Sequence, residues 1–442
     1  MTSVIKVAGP RGRTLTGNLP DFAADPLGFL TRTARDFGPV SSLRFARTRA
    51  FLVSDPAMIE EVLVRRRLDF IKAGPIRRQR RLFGKGLLIN EGTSWAKQRR
   101  LAQPAFHPRN LGAYAPVIAT HTARMLDRWQ ASSYADVHEE AKDLLMSIVA
   151  ESLFGPDVAP RAAAIGAAVE GAMDRYAARR GPARLLPDWI PLEASRRYVE
   201  GVDALDAFVA ETVARRRASG ETRNDLLDML VSARDEDGRA MTAGQIRDEA
   251  INLFVGGFDT PSLAIAWTWY LLANHPAVAQ RLHEEADAVL GDRAAESADL
   301  PKLAFTQMVL KESMRLYPPA WLLGREAIKD TELGGVAIPA GSTVLISQWV
   351  MHRDPRYFDD ALAFRPERWE EDRSFPRFAY FPFGGGPRVC IGAAFATMEC
   401  TLVIAMIARR FRFAMATDNP VEPHATMTLR PKGGMPARIA PR

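Results

Sequence analysis

The sequence predicts a mainly α fold with a minor β part (α+β), and three observations predict it. Helical periodicity dominates from about residue 95 to 318 and returns over 391–410. Short β-like runs between turn signals dominate residues 1–90 and 320–380. One long helix between these regions carries both a marked start and a marked stop. The chain has 442 residues, enough for a large buried core, and no Pro/Gly/Ser-rich linker divides it, so one domain spanning 1–442 is expected.

Each element follows from local chemistry. Residues 1–90 mix prolines with apolar runs such as Ala50-Phe51-Leu52-Val53, which suits a small sheet with one or two helices. The long helix opens on a capping box, Thr242 to Gln245, and stops at His275-Pro276. It would run for about 33 residues, roughly 50 Å at 1.5 Å per residue. A second helix spans Pro276 to Gly291, and a third runs from about Lys302 to Tyr317, where Pro318-Pro319 ends it. Gly334-Gly335 and Pro339-Ala340-Gly341 then punctuate short runs such as Ser342–Ile346, and a last helix starts near Ile391.

Composition excludes several function classes. Apolar residues are 47% and charged residues 25%, the balance of a folded globular chain. Two cysteines, Cys390 and Cys400, cannot build a disulfide framework or a four-cysteine zinc site, and a reducing cytoplasm is expected. The N-terminal MTSVIKVAGPRGRTL has no apolar stretch long enough for a signal peptide or an anchor, so neither is expected. The apolar region Ile251 to Ala273 is interrupted by Asn252, Gly256, Gly257, Asp259 and Pro261, which marks a buried helix carrying chemistry rather than a membrane span. Net charge is +7, but the basic runs Arg65–Arg67, Arg77–Arg81 and Arg215–Arg217 are short and separate, so they read as solvated faces and not as a nucleic-acid surface.

Four motifs carry chemistry. In Phe383-Gly384-Gly385-Gly386-Pro387-Arg388-Val389-Cys390-Ile391-Gly392, a cysteine stands just before an apolar helix, whose free N–H groups stabilise a thiolate. Gly386 and Gly392 permit the close backbone approach, Phe383 screens the sulfur, and Arg388 offers charge to an anionic group. Glu312 and Arg315 share a helical face at i,i+3, and Pro366-Glu367-Arg368-Trp369 follows. Trp95 and Arg99, at i,i+4, present an indole N–H and a guanidinium suited to a carboxylate. Gly256-Gly257-Phe258-Asp259-Thr260 places two glycines inside the long helix at a cost of about 1 kcal/mol each relative to alanine, which makes sense where a flat ligand lies on the backbone. His107 and Cys400 read as packing residues.

The Phe383–Gly392 segment resembles the haem-binding loop of the cytochrome P450 superfamily, and the other three motifs occur in that family's order. The resemblance implies a prism of helices around a buried haem b, with a small sheet on the N-terminal side. Cys390 would be the axial iron ligand, framed by Phe383, Gly384, Gly256, Ile391 and Gly392. Trp95, Arg99, Arg388 and Arg325 would grip the propionates, and Glu312, Arg315 and Arg368 would brace the cysteine loop. Thr260 would donate a hydrogen bond to dioxygen, with Asp259 relaying protons. Leu88, Leu253, Gly256, Ala320, Trp321 and Leu322 would face a small apolar substrate.

The implied activity is a monooxygenase that hydroxylates or epoxidises that substrate. Because the chain ends at Arg442, shortly after the cysteine helix, no reductase is expected on it, and electrons would come from NAD(P)H through a ferredoxin and ferredoxin reductase. These would dock where Arg99, Arg100 and Arg388 add positive charge to a monomeric, cytoplasmic protein. Two alternatives stand beside it: a peroxide-driven peroxygenase, which would not need Asp259-Thr260, and a non-catalytic haem sensor or electron carrier. One departure from the family is Pro261, which lacks the N–H that would pair with the Gly257 carbonyl and is expected to open the helix there.

Overall fold

The computed structural model describes residues 7–156, 193–219, 223, 225–370 and 375–442. By its contacts the chain divides into two compact units, Met1–Arg78 with Met314–Cys390 and Gln79–Ser313 with Ile391–Arg442.

The first unit is built on a five-stranded sheet. Its strands are β1 (Val40–Phe45), β2 (Thr48–Val53), β3 (Phe70–Lys72), β4 (Leu323–Ala327) and β5 (Thr343–Ile346). They lie in the order β1-β2-β5-β4-β3. β2 and β5 pair in parallel, with Phe51 opposite Val344 and Val53 opposite Ile346, and every other pairing is antiparallel. The β-branched and aromatic residues of β2 and β5 form a buried cluster with Ile59, Val62, Phe378 and Phe381, each worth about 1.5–3 kcal/mol of burial. That cluster fixes Phe378 and Phe381, which immediately precede the cysteine loop in sequence. Helix α1 (Pro26–Phe37) covers Leu27, Phe29 and Leu30, and Asp25 caps it by accepting the Gly28 N–H at 2.8 Å.

The second unit is mainly helical. Its principal helices are α2 (Gly92–Ala102), α3 (Ala115–Trp129), α4 (Val137–Phe154), α5 (Glu193–Ser219), α6 (Ala243–Ala273), α7 (Pro276–Leu290) and α9 (Ala393–Arg410); α8 (Ala304–Leu316) begins in it and passes the division at Met314. Two small antiparallel sheets complete it, one of Tyr134–Asp136, Pro436–Pro441 and Phe411–Met415, the other of Pro423–Ala425 with Leu429–Pro431.

Helix α6 is the centre of this unit, buried on most of its faces from Ile246 to Leu272. The expected capping box is in place: the Thr242 hydroxyl accepts the Gln245 N–H at 3.2 Å, and the Gln245 side chain accepts the Thr242 N–H at 2.8 Å. The helix runs unbroken through Pro261. The chain thus stays helical where Pro261 withholds the N–H that would pair with the Gly257 carbonyl, and the expected opening does not break the helix. α9 starts at Ala393, with Gly392 at its N-cap. Among the described residues no helix is long and apolar enough to cross a membrane.

Candidate functional site

In the first unit the cysteine loop is shaped by its own backbone. The Gly384 N–H bonds the Phe381 carbonyl at 2.9 Å, the Val389 N–H bonds Gly386 at 3.0 Å, and the Cys390 N–H returns to Phe383 at 3.0 Å. Gly384 and Gly386 sit at φ +72° and +67°. At Gly386 a Cβ would stand 2.1 Å from the Leu63 carbonyl oxygen, so only glycine fits. The result leaves Cys390 exposed, with Phe383, Gly384 and Arg388 half-buried.

Behind the loop, Phe381 donates its N–H to His352 Nε2 at 2.9 Å. Burial first, then Arg315 and Arg353, pull His352 down to about 3, so the ring is a neutral acceptor at any physiological pH. Arg315 is fully buried and donates to the carbonyls of His352 (2.8 Å), Ala361 (2.6 Å) and Ala363 (2.9 Å). Arg368, also buried, donates to the backbone carbonyl of Asp359 at 3.0 Å and to the same Ala363 carbonyl at 3.5 Å. The structure thus brings these two arginines together on the 359–363 turn, and Glu312 is fully buried one turn before Arg315 on α8.

Arg325 lies on β4 opposite Val344, half-buried, with its Nη1 on the Gly324 carbonyl at 3.0 Å. Ala320, Trp321 and Leu322 lead into that strand, and the Trp321 carbonyl accepts the Ser347 hydroxyl at 2.9 Å.

In the second unit the two glycines of α6 do different work. A Cβ on Gly257 would stand 2.6 Å from Val149 Cγ2 of α4, so this glycine serves helix packing. Apart from its chain neighbours and the adjoining backbone of α6, a Cβ on Gly256 would have no atom of the described residues within 4 Å, and Gly256 is exposed on a helix that is otherwise largely buried. Thr260, one turn on, donates its hydroxyl to the Gly256 carbonyl at 3.0 Å.

Asp259 is 3% exposed and ion-paired with Arg430 from the strand Leu429–Pro431. Trp267 Nε1 ties that strand to α6 through the Leu429 carbonyl at 2.8 Å. His138 of α4 is buried beside the pair; burial first, then the Arg430 charge, hold its imidazole below the usual value against the opposing pull of Glu139 and Asp259. Arg430 and His138 were not legible in the sequence, since both lie more than a hundred residues from Asp259 and neither stands in a motif.

The remaining candidates of this unit are also located. Trp95 and Arg99 are half-buried on α2, and Leu88 and Leu253 are half-buried, as are Ile391 and Gly392 at the start of α9. Arg100 is ion-paired with Glu236, and Lys97 with Asp235. His107 is a helix cap, its Nδ1 accepting the Arg109 N–H at 3.4 Å. Cys400 packs in the core with its sulfur 3.8 Å from the Pro261 carbonyl, and burial lifts its thiol well above the usual range.

The family profile of cytochrome P450 matches residues 7–436. The chain belongs to the cytochrome P450 family. This P450 is 36% identical to cyclooctatin synthase of Streptomyces melanosporofaciens over 95% of its own length and 92% of the relative's. It is 35% identical to cyclooctat-9-en-7-ol 5-monooxygenase of the same organism, over 88% and 85% of the two chains. Identity to pentalenene oxygenase of Streptomyces avermitilis is 31%, over 96% and 95%. A solved cyanobacterial structure, retinoic acid bound CYP120A1, shares the fold with a TM-score of 0.89 at 23% identity, over 100% of both chains. The P450 is therefore a monooxygenase with a haem-thiolate cofactor that uses O2.

Proposed function

We propose that this P450 oxidises a small apolar cyclic hydrocarbon or alcohol of the terpenoid class. One observation carries that reading: relatives aligned over nearly the whole chain are named for an unsaturated hydrocarbon, pentalenene, and an unsaturated alcohol, cyclooctat-9-en-7-ol. The side chains assigned to substrate support it. Leu88, Leu253, Ala320, Trp321 and Leu322 bring no charge, and Gly256 brings no side chain at all.

The residues present fit a haem. An exposed cysteine closes a loop that only glycine can form at Gly386, and Gly256 leaves the α6 backbone bare. In this reading Cys390 holds the iron, and Phe383, Gly384, Ile391 and Gly392 frame the sulfur. Trp95, Arg99, Arg325 and Arg388 bind the propionates, while Glu312, Arg315 and Arg368 hold the loop in shape. The bound haem supplies reduction of O2 and transfer of one oxygen atom to substrate. Thr260 keeps a proton at Oγ1, directed at the Gly256 carbonyl, and Asp259, once Arg430 releases its carboxylate, would take a proton from solvent and pass it on to replace the one that Thr260 gives up. This acid–alcohol pair favours O2 over a peroxide-driven cycle.

Electrons arrive from NAD(P)H through a separate ferredoxin and its reductase, in the cytoplasm, with Arg99, Arg100 and Arg388 as the docking cations of a monomer. Arg100 already faces Glu236, so its reversal to Glu removes an ion pair as well as a docking charge.

Optical titration tests the substrate class. Cyclic terpene hydrocarbons and alcohols should shift ferric haem from low to high spin, and long-chain fatty acids should not; a shift with fatty acids alone overturns the proposal. In Thr260→Ala, O2-driven product should fall by about a hundredfold while peroxide-driven product survives.

A further inference from the structure

The segment 84–90, between the short helix Arg80–Phe83 and α2, is fastened to α6 by side chains. The Lys85 N–H donates to Asp248 Oδ2 at 2.7 Å, the Leu87 N–H to Glu249 Oε2 at 3.1 Å, and the Leu88 N–H to Asn252 Oδ1 at 3.0 Å. Asn252 donates back through Nδ2 to the Phe83 carbonyl at 2.9 Å. The segment lies flat on the helix because of two glycines. A Cβ on Gly86 would stand 2.2 Å from Asn252 Nδ2, and one on Gly84, at φ +56°, would stand 1.9 Å from Asp248 Oδ1.

Helical geometry gives this clasp its significance. Asn252, Gly256 and Thr260 follow one another at i,i+4, and Glu249 stands at i−3 from Asn252, so all four occupy one face of α6. The clasp fastens Leu87 at Glu249, two turns before the bare backbone of Gly256, and Leu88 at Asn252, one turn before it, and Leu88 and Leu253 are both half-buried. Backbone N–H groups of a loop normally bond water or other backbone; here three are taken by side chains of a single helix, so the loop has one position rather than an ensemble.

We propose that Glu249 and Asn252 are positioning residues that set Leu88 over the Gly256 face of α6 and so determine which ligand shapes that face accepts. The proposal rests on the reading of Gly256 and Thr260 as the oxygen-handling stretch.

The state of Glu249 adds a signature. It is fully buried, its Oε1 has no hydrogen-bond partner among the described residues, and burial lifts its carboxyl to about 8, with Asp248 adding to the rise and the Leu87 N–H opposing it. Arg247 is engaged by Asp206 of α5 and by Asp248, and Lys85 is exposed. Glu249 is therefore neutral at pH 7, and its ionisation as pH rises through 8 places a charge beside Asp248 that a single N–H partner does not satisfy.

Two measurements test this on the haem-loaded full chain. The first is amide hydrogen exchange at Lys85, Leu87 and Leu88. Asn252→Ala should lose protection at Leu88 by at least about tenfold, and wild type should lose protection at Leu87 between pH 7 and 9 beyond the intrinsic base-catalysed rise. Glu249→Gln, whose amide oxygen still accepts the Leu87 N–H, should not show that pH step. The second is binding of imidazole and of 4-phenylimidazole to ferric haem. Asn252→Ala should change the ratio of their Kd values by about fivefold or more with imidazole itself unchanged, whereas Glu249→Gln at pH 7 should match wild type.

Unchanged exchange in Asn252→Ala overturns the clasp. A changed exchange with an unchanged Kd ratio overturns its role in ligand choice. If instead O2-driven turnover is intact in Thr260→Ala, the reading of the α6 face fails while the clasp result stands by itself.

Discussion

The cysteine loop and the middle of α6, to which the proposed function assigns the iron ligand and the proton path, are held in different ways. The loop from Phe381 to Cys390 is closed largely by bonds among its own residues, Cys390 returning to Phe383, while Leu63 excludes a side chain at Gly386 and His352 takes the Phe381 N–H. The stretch from Gly256 to Pro261 is defined by partners far away in sequence: Val149 against Gly257, Arg430 on Asp259 and Cys400 at the Pro261 carbonyl. A ligand-bearing loop must hold one geometry through every cycle, and local closure does that. A proton-handling stretch must exchange partners, and long-range ion pairs and shared carbonyls allow it.

Substitutions should break the two regions differently. The largest effect is expected for Cys390→Ala, which should abolish the thiolate-type carbon monoxide spectrum and all O2-driven turnover while the chain still folds, as far-UV circular dichroism would show. Arg315→Leu comes next. It removes the donor to three carbonyls in a fully buried site and should destabilise by about 3–5 kcal/mol, read by denaturant unfolding and by loss of haem uptake.

The adjacent glycines sharpen the contrast within α6. Gly257→Ala drives a methyl into Val149 and should cost about 1–3 kcal/mol by overpacking. Gly256→Ala meets nothing and should stabilise the haem-free chain by up to about 1 kcal/mol through helix propensity, while weakening haem or ligand binding. Equal stability changes at the two positions would remove the distinction between a packing glycine and an open one.

A further effect concerns pH. Because Glu249 is raised from 4.5 to about 8 in the folded chain, its contribution to stability is complete below about pH 4.5 and is lost as pH rises towards 8. Glu249→Gln should therefore flatten the fall in Tm between pH 5 and 8. A parallel fall in both proteins would show that the carboxyl does not titrate in this window.

Much of this P450 was legible in its sequence because the signals are local. The Thr242–Gln245 capping box and the stop at His275-Pro276 mark α6 to within two residues, since a helix end is decided by groups three or four positions apart. The Phe383–Gly392 spacing pointed to the family that the comparisons show. Arg315 and Arg368 were paired by resemblance, and the structure places both on the Ala363 carbonyl. Other features had no such signal. Two consecutive glycines looked alike until Val149 distinguished them, and the expected opening at Pro261 took no visible form in a helix supported on most sides. Arg100, read as a docking charge, proved to have Glu236 for a neighbour.

The sequence by itself determined where α6 begins and ends, which cysteine closes a glycine-shaped loop before an apolar helix, and which reaction family the chain serves, because capping, glycine conformation and motif spacing act over a few residues. Only the tertiary structure decided the surroundings of those groups: that Asp259 is locked by Arg430, that His138 is buried beside them, and that Glu249 and Asn252 clasp the segment 84–90. Charges, pKa values and loop positions depend on what stands within a few ångströms in space, and residues 171 apart in the chain can do so without leaving any pattern between them.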